Sequence, residues 1–298
     1  MKKIKEYIIN FINGFCMAMA DSVPGVSGGT VAFILGFYDK FIAALDDLFR
    51  GNWDKKINSL KYLFKIALGW AIGFILSVLF LANLFEHHIY EMSSIFIGFI
   101  IFALPIVIKE ERNVLKGKYH NLIFLFLGIG LVFLITYLNR SSGMVFDISH
   151  FNVGLMLYVF LAGMVAISAM ILPGISGSTL LLIFGLYIPI INSIKELLSF
   201  DFSVLPILIV FGLGIIFGIV FFVRLIRKML EHKRSASIYT IIGMMIGSIY
   251  AIIMGPTTLE VPLQAMNFDT FGIIYFMLGG IIILSLEGIK YLLSDAKK

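Results

Sequence analysis

The sequence predicts an all-α polytopic membrane protein made of two inverted-topology repeats, each a re-entrant helical hairpin followed by three transmembrane helices. Three observations carry this reading. The first is composition: 60% of the residues are hydrophobic, 14% are charged and mean hydropathy is +1.00, against about 25% charged in a typical soluble domain. The second is an internal repeat. Pro24-Gly25-Val26-Ser27-Gly28-Gly29-Thr30 returns as Pro173-Gly174-Ile175-Ser176-Gly177-Ser178-Thr179, displaced by 149 residues, half of the 298. The third is the placement of the 23 lysines and arginines, which sit in short clusters between apolar runs instead of spreading over a soluble surface.

Apolar segments of spanning length recur throughout the chain. The first repeat, 1–149, contains segments at about 6–20, 29–47, 62–85, 92–108 and 121–138. The second, 150–298, contains about 153–170, 178–195, 204–223, 237–254 and 269–290. The duplication continues through Ile34/Ile183, Gly36/Gly185 and Tyr38/Tyr187. At the same offset lie Gly14/Gly163, Ala20/Ala169, Gly69/Gly218, Gly98/Gly247 and Gly130/Gly279. Lys2, Lys3 and Lys5 before an apolar stretch ending Ala18-Met19-Ala20 imitate a signal peptide. A cleaved leader has no reason to be duplicated, so this segment reads as mature structure. The single cysteine, Cys16, excludes an internal disulfide framework.

Charge sets the topology. Basic residues crowd the N-terminus, 40–61, 109–118, 224–234 and the C-terminus, whereas 86–91 and 255–268 have none. Segment 139–152 has only Arg140, and 192–203 has only Lys195. By the positive-inside rule both termini are cytoplasmic, as is the 40–61 loop. The 6–47 segment then enters and leaves on one side, as a hairpin bent at its Pro-Gly motif, and 153–195 does the same from the other side. The remaining segments, 62–85, 92–108, 121–138, 204–223, 237–254 and 269–290, cross fully. Three spans per repeat is an odd number, so the second repeat is inverted. A ten-span arrangement places the later loops on the same sides, because neither turn contains Lys or Arg. The short arms and glycine-rich, hardly charged turns favour hairpins buried at membrane depth.

The turns have a definite chemistry. Proline ends one arm, glycines free the backbone, and hydroxyls line the start of the next helix near Gly28 or Gly177. A helix start exposes unpaired N–H groups and the positive end of the dipole, a setting for an anion such as phosphate. The candidate headgroup contacts are Ser22, Pro24, Gly25, Ser27, Gly28, Gly29 and Thr30 in the first motif, and Pro173, Gly174, Ser176, Gly177, Ser178 and Thr179 in the second. The alternative is that these are ordinary small packing residues. Asp21 is the one charged residue beside either turn, with Met170 as its counterpart. It is a candidate for ion coupling or for capping the second arm. Arg140 is a candidate headgroup contact or an interfacial anchor. Glu86-His87-His88 reads as a solvated loop, and Gly69-x-x-x-Gly73 and Gly243-x-x-x-Gly247 as packing seams. No metal, cofactor or nucleic acid is expected.

At these motifs the sequence resembles the bacterial polyprenyl-phosphate transporter family. Asp21-Ser22-Val23-Pro24-Gly25-Val26-Ser27-Gly28-Gly29-Thr30 looks like its first signature; Leu172-Pro173-Gly174-Ile175-Ser176-Gly177-Ser178-Thr179 with Gly185-Leu186-Tyr187 looks like its second. The resemblance spans essentially the whole chain. It implies a flippase in the bacterial cell membrane that returns undecaprenyl phosphate from the outer to the inner leaflet for reuse in cell-wall synthesis. The partners it implies are a polyprenyl phosphate lipid and the bilayer; a coupling ion, proton or sodium, fits the same picture. Two rivals stand beside it. An undecaprenyl-diphosphate phosphatase would need an arginine clamp and acid–base groups, which the turns lack; an anion or small-solute channel would need no lipid.

Overall fold

The computed structural model describes residues 2–21, 27–77, 82–141, 152–258 and 262–295. The described residues form thirteen α-helices and three short 3-10 helices, with no strand among them. The α-helices are α1 (Lys2–Asp21), α2 (Gly28–Ile34), α3 (Tyr38–Arg50), α4 (Trp53–Leu76), α5 (Ala82–Glu110), α6 (Arg112–Leu115), α7 (Leu122–Ser141), α8 (Val153–Ile171), α9 (Gly177–Ile183), α10 (Tyr187–Leu198), α11 (Leu205–His232), α12 (Arg234–Met254) and α13 (Ile273–Asp295). Among the described residues six stretches are long and apolar enough to cross a bilayer: Trp53–Leu76, His88–Glu110, Tyr119–Leu138, Val153–Ile171, Phe202–His232 and Arg234–Thr257. Outward-facing Phe126, Leu127, Phe217, Phe221, Ile274 and Ile281 are exposed, as a lipid-facing belt requires. The all-α polytopic class is therefore borne out.

Five of those stretches match the expected crossings, and two helices start earlier or end later than expected. The span expected at 62–85 begins at Trp53, where the Asn52 side chain accepts from Lys55 N at 3.1 Å and starts the helix. The span expected at 204–223 runs on to His232, carrying its basic residues on a continuous helix. Segment 153–170 is long enough to cross by itself. The expected 269–290 span is the 23-residue α13, Ile273–Asp295, whose first part, Ile273–Ser285, is apolar.

The larger departure lies in the second arm of each motif. Segments 29–47 and 178–195 are each two helices, not one. Gly36 (φ 73°) and Gly185 (φ 66°) hold left-handed backbone that glycine adopts without strain, and both helices stop there. Between α2 and α3 the axis turns by 119°. The seven-residue α2 is about 10 Å long.

Helix pairs are joined through glycines. A Cβ on Gly69 would fall on the Phe11 carbonyl oxygen, and one on Gly73 would lie 2.8 Å from Phe15 O. These successive contacts make α1 and α4 parallel. In the second half Gly214 lies on Phe160 O and Gly218 lies 2.6 Å from Met164 O, so α8 and α11 are parallel too. Gly98 sits on Phe276 O and Gly279 on Ile95 O, joining α5 to α13; Gly243 sits on Leu125 O and Gly128 on Thr240 O, joining α12 to α7. The seams at Gly69/Gly73 and Gly243/Gly247 thus pack helices as expected. The packing roles, however, pair Gly69 with Gly214, Gly98 with Gly243 and Gly128 with Gly279. Gly130, paired with Gly279 by the constant offset, has nothing within 4 Å of an added Cβ. For the first two pairs the shift is four residues, about one turn, which keeps the same helix face; Gly128 stands two residues from Gly130, on the other side of α7.

One end of the bundle collects the basic loops. Arg227 near the end of α11 pairs with Asp46 and Asp47 of α3, two turns or less before α4 begins. Arg234 at the start of α12 pairs with Asp39 of α3 and with Glu111, just after α5. Asn121 Nδ2 donates to Ser235 Oγ at 3.0 Å, bringing the start of α7 to the same face. Hence α4, α7 and α12 start at this basic face, and α5 and α11 end there. Since α1 runs with α4 and α8 with α11, α1 and α8 point in opposite directions.

Candidate functional site at the paired turns

The start of α2 and the turn after α8 meet inside the bundle. Ser27 has extended backbone (φ −126°, ψ 135°) and caps α2, its Oγ accepting from Gly29 N at 3.1 Å. The same hydroxyl donates to Leu172 O of the opposite turn at 3.1 Å. Thr30 Oγ1 accepts from Gly174 N at 2.7 Å. Gly174 holds φ 86° and presses its backbone against α12, so that a Cβ would lie 2.6 Å from Met244 O. A Cβ on Gly29 would lie as close to Ile171 O, at 2.6 Å. Only glycine fits both places. Ser27 and Thr30 are 1% and 3% exposed, so their bonds are made in the core and not traded with water.

Asp21 closes the first turn. Its Oδ1 accepts from Gly28 N at 2.7 Å and its Oδ2 from Trp70 Nε1 of α4 at 3.1 Å. Thr30 N bonds to Ser27 O at 2.9 Å. The first N–H groups of α2 are therefore already satisfied by the chain, with a carboxylate standing where an external anion would sit. The second turn differs. The Ser176 side chain makes no capping bond to α9, and Met170 takes the place of Asp21. Ser176 is 8% exposed, while Thr179 is partly exposed.

The structure thus sets Ser27, Gly29 and Thr30 against Ile171, Leu172 and Gly174 of the second turn, with Asp21 bonded to Gly28 in the first; Ser176, Gly177 and Thr179 follow at the start of α9. Ser22, Pro24 and Gly25 lie outside the described residues, as do the side chains of Ser178 and Arg140; Arg140 itself falls in the last turn of α7. Among the described residues no group of His, Cys, Asp and Glu could hold a metal, and His88 Nδ1 lies 3.2 Å from Glu91. Sequence reasoning missed Trp70. The available signal was that a carboxylate at membrane depth needs donors, and Trp70 is one of only two tryptophans, set in an apolar helix.

Helices that end inside the bundle and dock tip to tip define a multi-pass membrane protein with a polar junction enclosed by its own helices. The chain belongs to the undecaprenyl phosphate translocase-like family, whose sequence profile matches residues 17–270. It is 35% identical over 252 residues to a polyprenyl-phosphate transporter of Staphylococcus aureus (strain NCTC 8325 / PS 47), covering 84% of this chain and 87% of the relative. It is 30% identical over 293 residues to a polyprenyl-phosphate transporter of Vibrio cholerae serotype O1 (strain ATCC 39315 / El Tor Inaba N16961), covering 90% and 88%. No solved structure matches.

Proposed function

We propose that this chain is a transporter that carries undecaprenyl phosphate from the outer to the inner leaflet of a bacterial cell membrane, so that the lipid carrier is used again in envelope synthesis. The family membership and the names of both relatives support the substrate class and favour transport over catalysis. The single structural observation that carries the reading is the contact between the two turns. Helices arriving from opposite faces touch at Ser27–Leu172 and Thr30–Gly174, beside Met244, the middle residue of the 21-residue α12.

That contact also favours hairpins. If α1 and α8 crossed fully, their ends would lie on opposite faces, separated by about 30 Å of hydrocarbon. The halves 1–149 and 150–298 then read as inverted repeats, with matching parallel pairs α1/α4 and α8/α11 supporting the assignment. Under the positive-inside rule the basic face is cytoplasmic, and both termini lie there.

In this reading the phosphate is held at the second turn, where α9 begins without a carboxylate, by Ser176, Gly177 and Thr179. Ser27 and Thr30 build the junction instead. Asp21 is the site for a coupling proton or sodium ion, because it is the junction's one carboxylate. The polyprenyl chain stays in the bilayer while the headgroup crosses.

Purified protein in liposomes is expected to accelerate transbilayer movement of a polyprenyl phosphate over protein-free liposomes. Ser176→Ala is expected to slow it several-fold while leaving folding intact. No acceleration by folded protein would rule out the transport reading, and release of inorganic phosphate from a polyprenyl diphosphate would point to an enzyme. Unchanged transport in Ser176→Ala would remove that hydroxyl from the mechanism.

A further inference from the structure

The arm formed by α2 and α3 is clamped to the other half of the chain at both ends. At the junction Ser27 and Thr30 bond to the second turn. At the basic face Asp46 and Asp47 of α3 accept from Arg227 Nη1 of α11 at 2.9 and 2.6 Å. Asp39, in the first turn of α3, accepts from Arg234 Nη1 of α12 at 2.7 Å, and Arg234 Nε also donates to Glu111 at 3.1 Å. Between the clamps lie the last turn of α2 and the sharp bend at Gly36. A rigid helix joined through so short a bend cannot swing away from α11 without dragging α2, and with it the contact between the turns.

The chemistry of the outer clamp is that of a reversible contact. Its side chains are partly exposed, from 14% for Asp46 to 49% for Asp39. Ion pairs reached by water exchange readily with solvation, and they lie beside the buried Tyr38, Ile42 and Ala44, whose apolar burial also holds α3 in this closed position. The second arm keeps only part of the clasp: the counterparts of Asp39 and Asp46 at the constant offset are Ile188 and Lys195, and that of Asp47 is Glu196. We propose that α3 is a gate on the basic face, latched by Arg227 and Arg234, whose release opens the path between the paired turns and that face. As a step in moving a phosphate headgroup the gate rests on the transport reading; as a control of access to the turns it does not.

The test uses the full chain with Cys16→Ser and a reporter cysteine, Thr179→Cys, labelled by a membrane-impermeant maleimide offered at the basic face. Arg227→Gln with Arg234→Gln is expected to raise the labelling rate at least tenfold. An unchanged rate would overturn the gate whatever the protein transports. In liposomes, Asp46→Cys with Arg227→Cys in the same Cys16→Ser background, bridged by a reducible bifunctional thiol reagent, is expected to stop polyprenyl phosphate movement. Reductant is expected to restore it. Full movement with the bridge intact would also overturn the gate, whereas a Cys16→Ser parent that moves no lipid would count against the transport reading and leave the labelling result to decide the gate.

Discussion

Gly69→Ala is expected to destabilise the protein sharply, and Gly69→Leu to abolish the folded species in detergent. A Cβ at this position falls on the Phe11 carbonyl oxygen, a backbone atom that cannot move out of the way by changing rotamer. The helices α1 and α4 must then separate along their seam. Without a hydrophobic drive between helices in lipid, close packing is what holds such a pair together. Overpacking alone costs about 1–3 kcal/mol, and a backbone clash in a parallel seam lies at the upper end or beyond. The control is Gly130→Ala, where an added Cβ meets nothing within 4 Å. That change is expected to be neutral, or stabilising by up to about 1 kcal/mol from helix propensity. Thermal stability of the two variants by size-exclusion after heating checks both expectations, and equal stability would contradict the packing account.

The largest functional effect is expected at Asp21. Asp21→Ala leaves Gly28 N–H and Trp70 Nε1–H without their acceptor, at about 1–3 kcal/mol for each buried donor. Such a variant mixes structural and functional loss. Asp21→Asn reduces the mixing, because it keeps one acceptor oxygen for Gly28 N and gives up only the bond from Trp70 Nε1–H, which then faces the amide NH2. The fold is therefore expected to survive in Asp21→Asn while transport falls at least tenfold, since the amide can neither take up a proton nor hold a cation by charge. Transport at the parent rate would reduce Asp21 to a cap. Rates in liposomes with and without an imposed proton or sodium gradient provide the measurement.

Much of the fold was legible because the membrane makes strong demands on sequence. Apolar runs, basic loops and the glycine seams at Gly69/Gly73 and Gly243/Gly247 follow from rules that local tertiary detail rarely overrides. The starts of α2 and α9 at Gly28 and Gly177 were equally plain, since proline and glycine leave few options. The breaks at Gly36 and Gly185 were in the repeated string but passed unread, because a single glycine in an apolar stretch does not announce a positive φ. Glycine equivalence was overread. A constant offset couples Gly130 to Gly279, whereas the packing role falls to Gly128, two residues away, because a seam glycine must face its partner helix.

The site was legible as residues but not as bonds. The sequence offers Ser27 and Thr30 to a ligand on the same footing as Ser176 and Thr179. Only the fold spends the first pair on Leu172 O and Gly174 N, from residues more than 140 positions away. Likewise the pairing of Arg227 with Asp46 and Asp47 joins the two halves of the chain, and nothing in the local pattern of either segment points to the other.

The account depends most on two turns that enter from opposite faces and meet inside the bilayer. Cross-linking tests this directly, using Ser27→Cys with Leu172→Cys in the Cys16→Ser background and a short bifunctional thiol reagent in intact membranes. The account predicts an intramolecular bridge between the two positions, because Ser27 Oγ lies 3.1 Å from Leu172 O. No bridge, with Ser27→Cys labelled only from the far face and Leu172→Cys only from the basic face, would place the turns a membrane apart and contradict it.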